Sequence, residues 1–320
     1  MTPAAAQQGP GSGLRVPGDF DAFWSETLAE SRAAARPPAL ERVDSPVTEL
    51  ELFDLTFSGF AGEPVRAWVA APRGAVAAPA VVEYRGYSFG RGVPGERVHW
   101  AICGYVHVVM DNRGQGSLLG NGGDTPDPHG SGPSAPGFVT RGLDDPREHF
   151  YRRLFTDAAL AVDAVRALPL VDAGRVAVTG ISQGGASAIA AGALVPDVAA
   201  VMPDVPFLCD IPESVRVAKA QPMLDLVSYL SVHRDRADAA LATLSYVDAA
   251  NLATRASAPA LFSAGLRDEI SPAQTVVTAF DRYGGADREL ATYPYNGHEG
   301  GEEHHWMRQV AWLNERIRSG

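Results

Sequence analysis

Lysine is nearly missing from this chain of 320 residues: Lys219 is the only one, and arginine supplies the rest of the positive charge. The skew reflects coding preference and carries no functional meaning. Positive charge is short as a whole. The 27 Lys and Arg face 38 Asp and Glu, a net of −11. That balance argues against nucleic acid or an anionic membrane as partner. Cysteine is scarce too. Cys103 and Cys209 lie far apart, each among apolar neighbours. This excludes a disulfide framework and suits buried thiols in a reducing compartment. No apolar run is long enough to span a membrane. The N-terminal Met1-Thr-Pro-Ala-Ala-Ala-Gln-Gln-Gly-Pro10 lacks a basic region followed by an apolar one. No signal peptide is read there, and a cytoplasmic location is expected. No group of His, Cys and carboxylates has metal-ligand spacing, so neither a metal nor another cofactor is expected.

What is present is globular: 46% hydrophobic and 20% charged residues,. Residues 1–18, rich in Pro, Gly and Gln, read as a flexible N-terminus. Residues 19–320 read as a single α/β domain with insertions. A helix is expected over 19–35, capped by Asp19 and stopped by Pro37-Pro38. Residues 48–57 and 65–71 alternate as an antiparallel strand pair, so 19–72 supply a helix and the edge strands of a mixed sheet. Strands then alternate with helices. Strands fall at 80–84, 105–110, 176–179, 198–202, 260–264 and 289–293. Helices fall at 96–103, 150–168, 183–194, 273–283 and 302–318. This order implies a mainly parallel, doubly wound sheet with helices on both faces. Two stretches interrupt it. Residues 116–147 form a long loop crowded with Gly, Pro and Asp. Residues 204–257 hold helical segments (211–220, 223–233, 236–245) without a strand, read as a helical cap insertion.

The alternation is organised around Arg175-Val-Ala-Val-Thr-Gly180-Ile-Ser182-Gln183-Gly184-Gly185. An apolar run ends in Gly-x-Ser-x-Gly, and small helix formers follow. Strand, sharp turn and helix are the context of the nucleophile elbow of the α/β-hydrolase fold. Gly180 and Gly184 lack the Cβ that would clash with the neighbouring strand and helix. The Gln183 amide, at the helix N-terminus, is then aimed at a developing oxyanion. Gly86-Tyr87-Ser88-Phe89-Gly90 repeats the pattern, but Arg91-Gly92-Val93-Pro94 cannot open a helix. Ser88 is therefore rejected as nucleophile. A glycine-rich loop after an early strand is instead where this fold supplies its second oxyanion donor.

In this fold the chain order is Ser, acid, His. Asp268 lies just past the strand at 260–264, and His298 lies in the loop after the last strand. His298 would deprotonate Ser182, and Asp268 would fix the imidazole tautomer. Taken singly, Asp268 reads equally as a helix N-terminal acid. His304 and His305 are rival histidines, placed on a surface helix with solvated side chains. His99, His107, His129, His149 and His233 read as structural or surface residues. Arg113, between Asp111 and Gln115, reads as a tie for the loop that follows its strand.

Arg113-Gly114-Gln115, Gly180-Ile-Ser182-Gln183-Gly184 and His298-Glu299 together resemble the acetyl xylan esterases and cephalosporin C deacetylases of carbohydrate esterase family seven. The segments Tyr84-Arg-Gly-Tyr87, Asp204-Val-Pro-Phe-Leu-Cys209 and Gly265-Leu-Arg-Asp268 are similar as well, so the resemblance runs from about Asp19 onward. It implies a serine esterase that removes acetyl groups from small acetylated substrates, xylo-oligosaccharides and cephalosporins, through an acetyl-enzyme. It implies Ser182, Asp268 and His298 as triad, and the backbone amides of Tyr87 and Gln183 as oxyanion hole. It also implies a ring-like hexamer with the sites facing an inner cavity. The chain departs from the family pattern at Arg85, Ser271, Ala273 and residues 215–222, near the acyl or alcohol pockets. Rival readings are a broader short-chain carboxylesterase, a peptidase of the same fold, and a catalytically silent scaffold. The last usually lacks a triad member, and here all three are present.

Overall fold

A computed structural model describes residues 13–129 and 137–317. Helix α1 (Phe20–Ala33) buries Phe20, Phe23, Trp24 and Leu28 on one face, the stripe that its sequence spacing gives. Strands β1 (Ala39–Arg42), β2 (Leu50–Ser58) and β3 (Pro64–Pro72) follow, paired antiparallel. Then come β4 (Ala78–Tyr84), α2 (His99–Ile102), β5 (Val106–Met110), α3 (Phe150–Arg166), β6 (Val171–Ile181), α4 (Gln183–Leu194) and β7 (Ala200–Asp204). Four α-helices intervene without a strand: α5 (Ile211–Val217), α6 (Met223–Val232), α7 (Ala237–Leu244) and α8 (Ala249–Ala253). The remaining elements are β8 (Ala260–Gly265), α9 (Ala273–Arg282), β9 (Arg288–Tyr293) and α10 (Glu302–Ile317).

The nine strands form one sheet in the order β1-β2-β3-β5-β4-β6-β7-β8-β9. From β5 to β9 all neighbours are parallel, and β3 joins β5 antiparallel. Successive residues of β4 serve opposite layers. Val82 joins the core shared with α1, α3, α4 and α9, while Val81 joins the one closed by Trp100 of α2 and Trp312 and Leu313 of α10. The pleat sends neighbouring side chains to opposite faces, so a central strand with helices on both sides reads as continuously apolar. Helix α3 is deeply set. Its Phe150, Tyr151, Leu154 and Phe155 are fully buried, each stabilising by about 1.5–3 kcal/mol.

Several boundaries differ from the sequence reading. β6 starts five residues early, because the chain at 171–175 continues extended beside Ala78. α2 shrinks to one turn, because Gly95 at φ +86° and Val98 at φ −134°, ψ 2°, both outside helical backbone, keep residues 96–98 out of the helix. β1 and α8 were not anticipated. β1 is four residues long without alternation, and α8 depends on Asp248, whose carboxylate accepts the Ala250 amide at 2.8 Å. Of the stretch 1–18, residues 1–12 lie outside the described residues. Residues 13–18 are held in place: the Arg15 carbonyl accepts from Asn251 Nδ2 at 2.8 Å, and Leu14 packs on the core. No helix among the described residues is long and apolar enough to cross a membrane. Cys103 and Cys209 are not bonded to each other, and burial pushes the Cys209 thiol well above its ordinary pKa.

Candidate active site

β6 delivers Ser182 to a turn at φ +60°, ψ −118°. A serine there costs about 1–3 kcal/mol and persists only where the surroundings over-determine it. Here the Ser182 amide donates to the Asp204 carbonyl at 2.9 Å, and its own carbonyl accepts from Phe207 at 3.0 Å and Ala186 at 3.1 Å. A Cβ on Gly184 would overlap the Tyr84 carbonyl oxygen, and one on Gly180 would overlap the backbone of Gly184. Both glycines are thus fixed by close approach, as the motif implies.

Asp268 and His298 meet. The Asp268 side chain is fully buried; its Oδ1 accepts from the amides of Ile270 (2.8 Å) and Ser271 (2.9 Å). Its Oδ2 lies 2.8 Å from His298 Nδ1. An ionised carboxylate only accepts, so Nδ1–H donates to it and Nε2 is left with a lone pair. Glu299 closes the same loop. Its carboxylate accepts from the Gly297 amide at 3.1 Å and from Asn296 Nδ2 at 3.0 Å. The amides of Glu299 itself and Gly297 hold that carboxyl below its ordinary range.

Tyr87 and Ser88 lie on the glycine-rich loop after β4, with Ser88 at φ +67°. The Tyr87 hydroxyl accepts the Phe138 amide at 2.6 Å, and burial pushes its pKa up to about 12. Gln115 Oε1 accepts the Ser88 amide at 2.6 Å, and Gln115 Nε2 donates to Gln183 Oε1 at 3.0 Å. The Tyr151 hydroxyl donates to the same Gln183 Oε1 at 3.0 Å. Gln115 therefore joins two segments carrying predicted site residues. Tyr151 was given no role by the sequence, and nothing in its helical position signals one.

Arg113 ties the framework, as its setting predicts. It is fully buried and holds Asp157 through Nε (2.6 Å) and Nη2 (2.9 Å), Glu63 at 2.8 Å and Asp127 at 3.3 Å. Burial alone would lower its pKa; the Asp157 and Glu63 carboxylates outweigh this and raise it. Gly114, at φ +66°, donates to the Thr125 carbonyl at 2.8 Å. Arg85 braces the glycine loop, its Nε donating to the Gly90 carbonyl at 3.2 Å. Other departures converge. Val217, Lys219 and Ala273 line one cleft of about 520 Å³ beside Asp268, whereas Ser271 does not line it.

Two expectations change. His305 is 2% exposed, not solvated: it faces Asp204 at 2.9 Å and the Tyr293 hydroxyl at 2.9 Å. It repeats the inward stripe of Gln309, Trp312 and Leu313, so helical spacing buries it,. His304 stays exposed. Second, the fold does assemble a group with metal-ligand proximity, Glu83, His99 and His107, from three segments. The charge on Glu83 is already met by Arg97 at 2.5 Å and Arg85 at 3.5 Å. His107 Nε2 donates to it at 2.8 Å, and burial pushes His99 down to about 4. A divalent cation there would face two guanidinium groups, so the arrangement fits a compensated buried carboxylate better than a metal centre.

Comparison with known proteins places the family and the fold. A family model described as acetyl xylan esterase (AXE1) matches residues 12–316. The acetyl esterase Axe7A of Xylanibacter ruminicola is 24% identical over 313 residues, 94% of this chain and 68% of that protein. Among solved structures, an acetyl xylan esterase from Paenibacillus sp. R4 superposes with a TM-score of 0.88 at 31% identity, covering 96% of this chain and 97% of its own. Acetyl xylan esterase 1 from Thermoanaerobacterium sp. JW/SL YS485 follows at 0.85 and 30%, covering 94% and 96%.

Proposed function

The chain belongs to the acetyl xylan esterase family and is a carboxylic ester hydrolase of the α/β-hydrolase fold, and from that premise we propose that it deacetylates small acetylated sugars through an acetyl-enzyme on Ser182. Ser182 Oγ attacks the acetyl carbonyl as His298 Nε2 takes its proton. The backbone amides of Tyr87 and Gln183 hold the oxyanion, and His298 returns the proton to the departing alcohol. Water, deprotonated by the same imidazole, then releases acetate and restores Ser182. Asp268 accepts from His298 Nδ1–H and stabilises the imidazolium,. The observation that carries the reading is the 2.8 Å contact of Asp268 Oδ2 with His298 Nδ1, alongside a serine held at φ +60°. Short acetylated xylo-oligosaccharides and compounds of the cephalosporin C type are the substrates we assign. A ring-like hexamer, with the sites facing inward, accompanies that assignment and is checked by light scattering.

A rate series on p-nitrophenyl acetate, butyrate and octanoate tests the reading. A steep fall after acetate is expected, with Ser182→Ala lowering kcat by roughly 10³–10⁶. A flat or rising series makes the enzyme a general carboxylesterase. Full activity in Ser182→Ala removes the nucleophile assignment.

A further inference from the structure

The two amides assigned to the oxyanion sit on separate segments, the loop after β4 and the N-terminus of α4. Each segment carries strained backbone, Ser88 at φ +67° and Ser182 at φ +60°. Strained turns relax unless something outside them fixes their peptide planes. One carboxamide reaches both. Gln115 Oε1 takes the amide of Ser88, the residue after Tyr87, and Gln115 Nε2 reaches the Gln183 side chain. The Tyr151 hydroxyl fills the second lone pair of Gln183 Oε1. Gln115 is 6% exposed, and Gln183 and Tyr151 are fully buried.

We propose that Gln115 and Tyr151 are positioning residues of the oxyanion hole, locking the Tyr87 and Gln183 amides at a fixed separation through the Gln183 carboxamide. The proposal rests on the oxyanion assignment above. The direction of each bond follows from the donors. Ser88 offers an N–H, so the Gln115 oxygen must turn to it and its NH₂ must turn to Gln183. Gln183 then presents its oxygen to both partners. Burial keeps the Tyr151 hydroxyl protonated, its pKa pushed well above the ordinary value, so it remains a donor at any working pH. Neither side chain is assigned a contact with the substrate. They act through where the two amides point, and an oxyanion donor works only near 2.7–3.1 Å from the developing charge. A set of buried groups that merely satisfy one another would stabilise the fold without affecting the chemical step.

The test compares Tyr151→Phe, which loses one hydroxyl without changing volume, with Gln115→Met, which loses both links at similar length. Tyr283→Phe serves as a control. It removes a buried hydroxyl bond to the Ala258 carbonyl (2.8 Å), away from the site. With p-nitrophenyl acetate, kcat is expected to fall about 10-fold in Tyr151→Phe and up to about 100-fold in Gln115→Met, the lower range for a disturbed oxyanion donor. KM should stay within about twofold, and the Ki of methylboronic acid, whose serine adduct is tetrahedral, should rise in step with the loss of kcat/KM. Tyr283→Phe should lower Tm alone. Should both variants keep kcat within about twofold of wild type, or lose only Tm, or raise KM alone, Gln115 and Tyr151 are structural and the proposal fails. The prior assignment fails separately, in an inactive wild type or an active Ser182→Ala, and takes the proposal with it.

Discussion

Ser271 spends its amide on the Asp268 carboxylate at 2.9 Å, while its buried hydroxyl has no hydrogen-bond partner among the described residues. A buried hydroxyl without a partner costs about 1–3 kcal/mol, and removing it recovers part of that cost. Ser271→Ala keeps the backbone bond. It should leave kcat within about twofold and hold or raise Tm, by up to the few degrees that about 1 kcal/mol gives. Thermal melts together with the acetyl-ester rate check this. A loss of several degrees would show that the hydroxyl is bound after all. Residue chemistry explains Arg113 in the same way. A fully buried guanidinium facing three carboxylates is framework, whatever motif it belongs to.

The elbow is the element on which the site depends. β6 and α4 meet with Gly184 against the Tyr84 carbonyl of β4, so a methyl group has no room. Gly184→Ala should cost about 1–3 kcal/mol by overpacking and should lower acetyl-ester turnover, because β4 leads directly into the glycine loop. An unchanged Tm and rate would mean that the strands part without cost. This element was legible in the sequence because its constraints are local: an apolar run, two obligatory glycines and small helix formers. Asp268 and His298 were legible because the fold fixes their places after β8 and β9. The Glu83, His99 and His107 group was not. It depends on the register of β4 on β5 and on one short turn of helix, neither of which leaves a pattern in one chain. His305 was hidden by its polarity, although its spacing from Gln309 and Trp312 placed it inward. The Gln115 link was also out of reach, because it joins residues 27 and 68 positions apart.

Across the whole molecule, acid should be the condition that exposes buried imidazoles. Burial pushes His149 to about 4, and its geometry agrees: Nε2–H donates to the Val139 carbonyl while Nδ1 accepts the Tyr151 amide. His99 is held at about 4 as well. The unfolded chain takes up these protons near pH 6.5, and the folded one only near 4. Stability is therefore full above about 6.5 and is lost as the pH falls towards 4. Thermal melts from pH 7.5 to 4.5 should show that decline, and His149→Gln should flatten it; an identical slope in the variant would exclude His149 as a source. The long loop shows how far such dependence reaches. Gly122 accepts the Gly92 amide at 3.0 Å, Asp111 binds the amides of Arg91, Asp124 and Thr125, and Phe138 donates to Tyr87. In recombination with a relative, residues 116–138 are thus not a cassette of their own. The inheritable unit runs from about 86 to 138, and a crossover inside it would pair one parent's oxyanion loop with the other parent's scaffolding.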